Sequence, residues 1–503
     1  MELLTERYSA KIKGVLSCYD RIVINGTIPE FNYEEAITGF FNHNKIPLFD
    51  YPRIAMVWRD IIRENAEKIA QENGIEIEFL RKADTRKEDL VQKVIKKRSA
   101  QPGLVHILSA MESCTAYRPW HDKRCNRNYL RRTSGKCLHF YFYFIDETLG
   151  LCYVRVPTWS PFRLQIYFNG HNWLASQMNK KNISYELADN VFLNIGSFDK
   201  AQRLLDDFRV EPLHRLLDRF ANQYCPIINQ LSLTYHWSIM QVEYATDIIF
   251  KRQADLKPIY EHLTRTAIHT IKPDHIATFL GRKIHGLYQD EFGNNFNTRI
   301  EGTRIKHAMG PVAIKMYDKY ALVLRIETTV HNVSFFKHYR EVVQRDGTRT
   351  QKVAVMKKNI YSLFPLRRIL ADANHRYLVF ISSIEDRSAG IKNLTKISKS
   401  VQENGRPYKG FNLFSQEDHL LFQIIASGEF TISGFQNKNL RSKLICKSTG
   451  QISRLLKRLI THGLIKRIRN TYKYYLTHLG HQLITTALKL KELFIIPQLC
   501  YQS

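Results

Sequence analysis

Between Gly302 and Thr329 the chain carries a dense set of groups that can bind or attack phosphorus: Arg304, Lys306, Lys315, Tyr317, Asp318, Arg325 and Glu327. Val312, Ile314 and Met316 alternate with Ala313, Lys315 and Tyr317, and Leu322, Leu324 and Ile326 alternate with Val323, Arg325 and Glu327. This period of two predicts two strands, each with one apolar and one polar face. If both apolar sets pack on one core, facing residues sum to an even number and the connection has odd length, as with Lys319-Tyr320-Ala321. That register sets Lys315 opposite Arg325, with Tyr317 and Glu327 on the same exposed face. Two cations directly opposite one another repel, so an anion, most simply phosphate, is expected between them. If this face cleaves a strand, Asp318 or Glu327 would hold Mg²⁺ or Mn²⁺, and Tyr317 or water would attack phosphorus. Otherwise Lys315, Arg325 and Glu327 balance one another as a salt-bridged hairpin.

The order Gly302-Thr303-Arg304, then Lys315 and Tyr317-Asp318-Lys319, then Arg325-x-Glu327 resembles the core of plasmid rolling-circle replication initiators. The resemblance implies a sheet that supports metal-assisted, tyrosine-mediated nicking of DNA. The chain departs from that pattern just before Gly302, where a nucleophilic tyrosine is expected. Arg299-Ile300-Glu301 stands there, and the nearest upstream tyrosine is Tyr288. No His-hydrophobic-His metal motif stands out either. The resemblance therefore bears on the sheet before it bears on nicking.

A second set of phosphate-seeking groups lies near the C-terminus. From Ser448 onward, Ile452, Leu455, Leu456, Leu459 and Ile460 fall on one helical stripe, with Gln451, Arg454, Lys457 and Arg458 on the other face. Gly463 is the expected left-handed stop, and Leu464 to Leu476 reads as two short strands turning at Asn470-Thr471. A helix with a basic outer face followed by a basic hairpin resembles a MarR-type winged helix over Phe411 to Leu490. The resemblance implies that Gln451, Ser453, Arg454, Lys457 and Arg458 enter the major groove, while Arg467, Arg469, Tyr472 and Lys473 touch the backbone. The alternative is a solvated basic helix in a protein-binding module.

Weaker constellations are present as well. Cys114, His121, Cys125, Cys137 and His139 could bind zinc, although no paired Cys-x-x-Cys knuckle occurs. Asp20 and Glu112 could be paired carboxylates of an α/β nuclease holding Mg²⁺. His236, Glu243 and Asp247 sit at helical spacing and read as a satisfied helix face. The run Tyr117-Arg118-Pro119-Trp120-His121-Asp122-Lys123-Arg124 could stack bases while holding phosphates, or be an ordinary charged loop. Phe168-Asn169-Gly170-His171-Asn172-Trp173 reads as a specific turn that names no reaction.

The elements around these groups suggest an α+β multidomain chain. Residues 1–196 read as an α/β domain, with a helix over Tyr51–Asn73, a strand over Ile75–Leu80, a helix over Arg86–Arg98 and a basic loop over Met111–Lys136. Residues 197–290 read as a helical insert, 291–385 as a strand-rich basic core with a helix over Lys352–Ile384, 386–410 as a linker, and 411–503 as the winged-helix domain. Across the 503 residues Lys plus Arg is 75 against 47 for Asp plus Glu, and this +28 excess points to a polyanionic partner, DNA or RNA. No run is apolar enough to span a bilayer and the first residues lack a signal-peptide core, so no membrane partner and a cytoplasmic location are expected. The eight scattered cysteines fit a reducing interior rather than a disulfide scaffold. The expected function is a DNA-transaction factor of mobile-element or replication-initiator type. The alternatives are the protein part of a ribonucleoprotein that binds structured RNA, and a non-catalytic transcriptional regulator acting as a homodimer.

Overall fold

The computed structural model describes residues 3–81, 85–97, 101–283, 292–299, 302–385, 388–468 and 471–500. The chain forms two compact units, Met1–Glu385 and Asp386–Ser503. Among the described residues no helix is long and apolar enough to cross a membrane.

The first unit is a mixed α/β structure built on one large sheet. Its strands are β1 (Ile12–Thr27), β2 (Ile77–Leu80), β3 (Gly103–Asp122), β4 (Arg127–Asp146), β5 (Gly150–Pro157) and β6 (Leu164–Phe168). The hairpin β7 (Tyr185–Ala188) and β8 (Val191–Ile195) stands apart, before β9 (His236–Phe250), β10 (Phe292–Arg299), β11 (Gly302–Met309), β12 (Val312–Lys319) and β13 (Val323–Val330). The ribbon β14 (Lys337–Val343) and β15 (Arg349–Val355) is also separate. The sheet runs β10-β11-β12-β13-β9-β1-β6-β5-β4-β3-β2, and β2–β3 is a parallel pair in an otherwise antiparallel ladder. Helix Tyr51–Glu72 buries Tyr51, Ala55, Trp58, Ile62, Ala66 and Ile69, the three-and-four spacing that keeps one face on the core. Helix Val210–Tyr224 adds Leu213, Leu217, Phe220 and Tyr224 to the same core.

Several expectations change. The boundaries expected at 196/197 and 290/291 fall inside this unit, because β1, β9 and β13 hydrogen-bond side by side. His236 to Phe250 is a strand rather than a helix face, as its β-branched and aromatic content favours. Met111–Lys136 is the paired continuation of β3 and β4 rather than a loop. The expected helix over Lys352–Ile384 begins at Leu363, since Lys352–Val355 complete β15 and a 3-10 turn over Ile360–Ser362 leads into the helix.

In the second unit, helices Gln416–Ile425, Asn437–Lys443 and Thr449–Thr461 precede a short hairpin, β18 (Ile465–Arg467) and β19 (Tyr474–Leu476), and helix His478–Lys489 follows. Ile452, Leu456 and Leu459 bury the stripe read from sequence, and Gly463 takes φ +73° where the helix stops. The expected linker instead contains helix Ser388–Ser398 and the hairpin β16 (Val401–Glu403) and β17 (Arg406–Tyr408).

Candidate active site

The polar groups of β12 and β13 join those of β9 and β1 at the middle of the large sheet. Strand alternation puts Arg325 and Glu327 of β13 on one face, together with Glu243 and Asp247 of β9 and Lys315 and Tyr317 of β12. Asp20 reaches that face through a bulge. The β1–β9 pairing shifts between Tyr19↔Tyr244 and Arg21↔Glu243, so Asp20 has no partner across the ladder. A bulge of this kind re-aims a side chain without breaking the sheet. Gly170 allows helix Gly170–Lys180 to start against β1, because a Cβ there would lie 2.3 Å from the Tyr19 carbonyl oxygen. Asn169 caps that helix by accepting from the His171 N–H at 2.7 Å, and the His171 ring turns into the core.

Arg325, fully buried, is the hub of the inner layer. Its Nε and one terminal nitrogen each donate to Asp247 at 2.6 Å, that same terminal nitrogen donates to the Asn190 carbonyl oxygen at 2.7 Å, and the other lies 3.2 Å from Asp20. His171 lies between the two acids, 3.2 Å from Asp20 and 3.5 Å from Asp247, with the Cys18 sulfur 3.3 Å away. The Asn190 amide donates to both Asp20 oxygens, at 2.7 and 2.8 Å, and Lys319 donates to the Asn190 side-chain oxygen. Burial opposes charge throughout, but the pairing wins. Arg325 and His171 hold Asp20 and Asp247 below the usual carboxylate range, while Cys18, Asp20 and Asp247 raise His171 well above its ordinary value.

The outer layer is less evenly neutralised. The Lys315 ammonium lies 2.6 Å from Glu327 and 3.3 Å from Glu243, so two carboxylates share one cation. Tyr317 donates to the other Glu327 oxygen at 2.5 Å. Burial and then Glu327 raise the pKa of Glu243, and burial and Glu327 likewise hold the proton on Tyr317. Carboxylate oxygens of Asp20, Glu243 and Glu327 lie within 4.8 Å of one another, a grouping able to hold a metal ion. They border a cleft of about 360 Å³ that Asp189, Arg304, Lys319 and Tyr320 also line.

The parity argument for the hairpin holds, but its register is one pair further along. Lys319 faces Val323, so Lys315 meets Glu327 and Tyr317 meets Arg325. Tyr320 and Ala321 both take positive φ in this turn. The expected contact between Lys315 and Arg325 is therefore absent, and the exposed polar face is a buried ion-pair layer. The facing cations are instead Lys306 of β11 and Lys315. Asp318 follows Tyr317 along β12 and so projects from the opposite face, away from the three carboxylates. Glu112 does not meet Asp20. It is held by Arg155 at 2.8 Å, Tyr141 at 2.7 Å and Lys87 at 3.2 Å. The zinc grouping also separates, because His121 pairs across the far end of the ribbon with Asn128 while Cys137 and His139 lie near its base. Sequence reading missed His171, Asn190 and Glu243 as members of this site, although the β-former-rich run around Glu243 was a usable signal.

In the C-terminal unit the expected groove residues divide. Arg454 and Ser453 are exposed, with Ser453 bonded to Thr449 at 3.1 Å and Asn437 at 3.0 Å. Gln451 caps its own helix through Ser448 at 2.7 Å. Lys457 is paired with Glu403 at 2.6 Å. Arg458 is bound to Asp418 at 2.9 and 3.0 Å and to the Gly410 carbonyl oxygen at 2.6 Å, and it lies 3.8 Å above the Phe411 ring. Arg467 donates to the Thr471 carbonyl oxygen at 2.8 Å and stacks on the exposed Tyr472, while Lys473 reaches the Ser433 carbonyl oxygen at 3.5 Å. Arg469 lies outside the described residues. Arg458→Ala should destabilise this unit by about 3 kcal/mol by stranding Asp418. Arg454→Ala should change its stability by less than about 0.5 kcal/mol. Hydrogen exchange of the helix amides in the full chain checks both values, and the reverse order would refute these roles.

Comparison with protein-family models, with curated proteins and with solved structures finds no match to this chain.

Proposed function

We propose that the chain is a nucleic-acid-processing protein whose large sheet carries a divalent-metal centre for phosphodiester cleavage. The observation behind this reading is that Glu243 and Glu327, with Asp20 beside them, share the single ammonium of Lys315 at a cleft also lined by Arg304. Carboxylates gathered at such a cost in mutual repulsion favour a cation of higher charge. Mg²⁺ or Mn²⁺ held there would polarise a phosphoryl oxygen and lower the pKa of an attacking water. Arg304 and Lys319, which line the same cleft, would receive the strand's charge. Tyr317, which keeps its proton, orients Glu327 rather than attacking. The C-terminal unit would act as a winged helix that selects the site on DNA, with Arg454 as the groove contact and Arg467, Tyr472 and Lys473 on the backbone.

The Lys315 bridge favours a second reading, in which the cleft only cradles phosphate. The two readings separate when metal-stripped protein is incubated with labelled single- and double-stranded DNA and RNA, with and without Mg²⁺ or Mn²⁺. Metal-restored cutting is the expected result. Binding without cutting under every metal condition would leave the cradle.

A further inference from the structure

Beyond Met111↔Leu138 the β3–β4 ladder continues to Asp122↔Arg127, and among the described residues no third strand lies beside it. One face of this ribbon is closed against the protein. Tyr117 and Leu130 are buried there, Tyr117 donating to the Phe31 carbonyl oxygen at 2.8 Å and the Leu130 N–H to Thr38 at 3.0 Å. The other face sets Arg118 directly opposite Arg131, and next to them Trp120 opposite Tyr129. Both guanidinium groups lie over the indole of Trp120, 5.1 and 4.8 Å from its centroid. Trp120 is 37% exposed, both arginines are exposed, and among the described residues neither has a carboxylate partner.

Two cations placed opposite one another cost energy, and among the described residues no carboxylate neutralises them. The indole fixes their orientation through cation–π contact. Paired, pre-oriented guanidinium groups match phosphate oxygens. Lys123, Arg124 and Arg127 continue the positive charge at the ribbon's end. We propose that this face binds single-stranded nucleic acid, with a phosphate between Arg118 and Arg131 and an unpaired base on the indole of Trp120. An exposed aromatic platform favours an unpaired base, because bases in a duplex already stack on each other. The proposal rests on the reading of the protein as one that handles nucleic acid, but it uses none of the cleft residues.

The test is fluorescence anisotropy of the full chain with a labelled mixed-sequence DNA oligonucleotide and its duplex, over a range of salt. Arg118→Ala with Arg131→Ala should weaken single-strand binding about tenfold or more. It should also flatten the salt slope by about 0.7, the share of the one phosphate held between them. Trp120→Ala should cost about tenfold, Trp120→Phe should restore most of it, and duplex binding should change little. All three positions are solvent-facing, and unchanged far-ultraviolet circular dichroism and thermal midpoint would establish that each variant is folded. Unchanged single-strand affinity in the folded double variant would overturn the proposal. So would equal losses on single strand and duplex, which would mean general attraction by charge. Either result alongside intact metal-dependent cutting would discard the ribbon site and leave the cleft reading standing.

Discussion

Arg325→Met should destabilise the first unit by about 3–5 kcal/mol, because it removes the guanidinium that bridges two buried carboxylates and leaves only His171 between them. Asp20 and Asp247 are 4% and 2% exposed, so water replaces little of what the guanidinium supplies. The methionine keeps most of the side-chain volume, which separates loss of charge from creation of a cavity. All five tryptophans lie within the first unit, so urea unfolding followed by their fluorescence reports on that unit alone. The variant should also lose part of its acid sensitivity. Both acids are held below their ordinary values, so their contribution is full above about pH 4 and is lost as pH falls through the lower folded values. Removing Arg325 shortens that loss, and the stability–pH curve should flatten on the acid side. An unfolding midpoint within error of the parent would show that Arg325 is dispensable to the sheet.

Glu243→Gln combined with Glu327→Gln should weaken Mn²⁺ binding at least about 100-fold and abolish metal-dependent cutting. Altering groups that merely support metal ligands costs about 10- to 100-fold, and here two of the proposed ligands themselves would be lost. The amides keep the shape of the side chains, and Lys315 loses its partners without leaving a carboxylate stranded. Lys315→Met should act in the opposite direction and tighten Mn²⁺, since the ammonium lies between the same two oxygens that a cation would use. Affinity in the parent should fall as pH falls, because Glu243 has a raised pKa and takes up its proton earlier than an ordinary carboxylate. Calorimetric Mn²⁺ titrations across pH measure all three effects. Equal Mn²⁺ affinity in the parent and both variants would remove the metal centre. Asp318→Asn, on the far face of β12, should leave both binding and cutting unchanged.

Local physics made a good part of this molecule legible from its residues. The period of two around Lys315 and Arg325 gave the strands and the parity of their hairpin, since side chains alternate whatever the strand pairs with. The three-and-four spacing around Leu456 and the glycine at 463 located the helix Thr449–Thr461 and its end, because both signals lie within one helical segment. Charge sum alone named a polyanion as the partner to test.

What sequence order could not provide was which distant strands become neighbours. Register along the hairpin depended on two positive-φ residues in its turn, and a shift of one pair exchanged a repulsive contact for the Lys315–Glu327 bridge. Asp20, Glu243 and Glu327 are separated by hundreds of residues in all, yet they meet because β1, β9 and β13 pair and a bulge turns Asp20 onto their face. His171 and Asn190 enter the site only because a helix start and a hairpin turn pack over that point. Long-range pairing trades loop entropy for burial of whole strands, and that balance is struck over the entire unit rather than within any window of sequence. The same rule sorted the cations: Arg325, Lys457 and Arg458 were drawn into ion pairs by carboxylates far along the chain, while Arg118, Arg131 and Arg454 remained facing solvent.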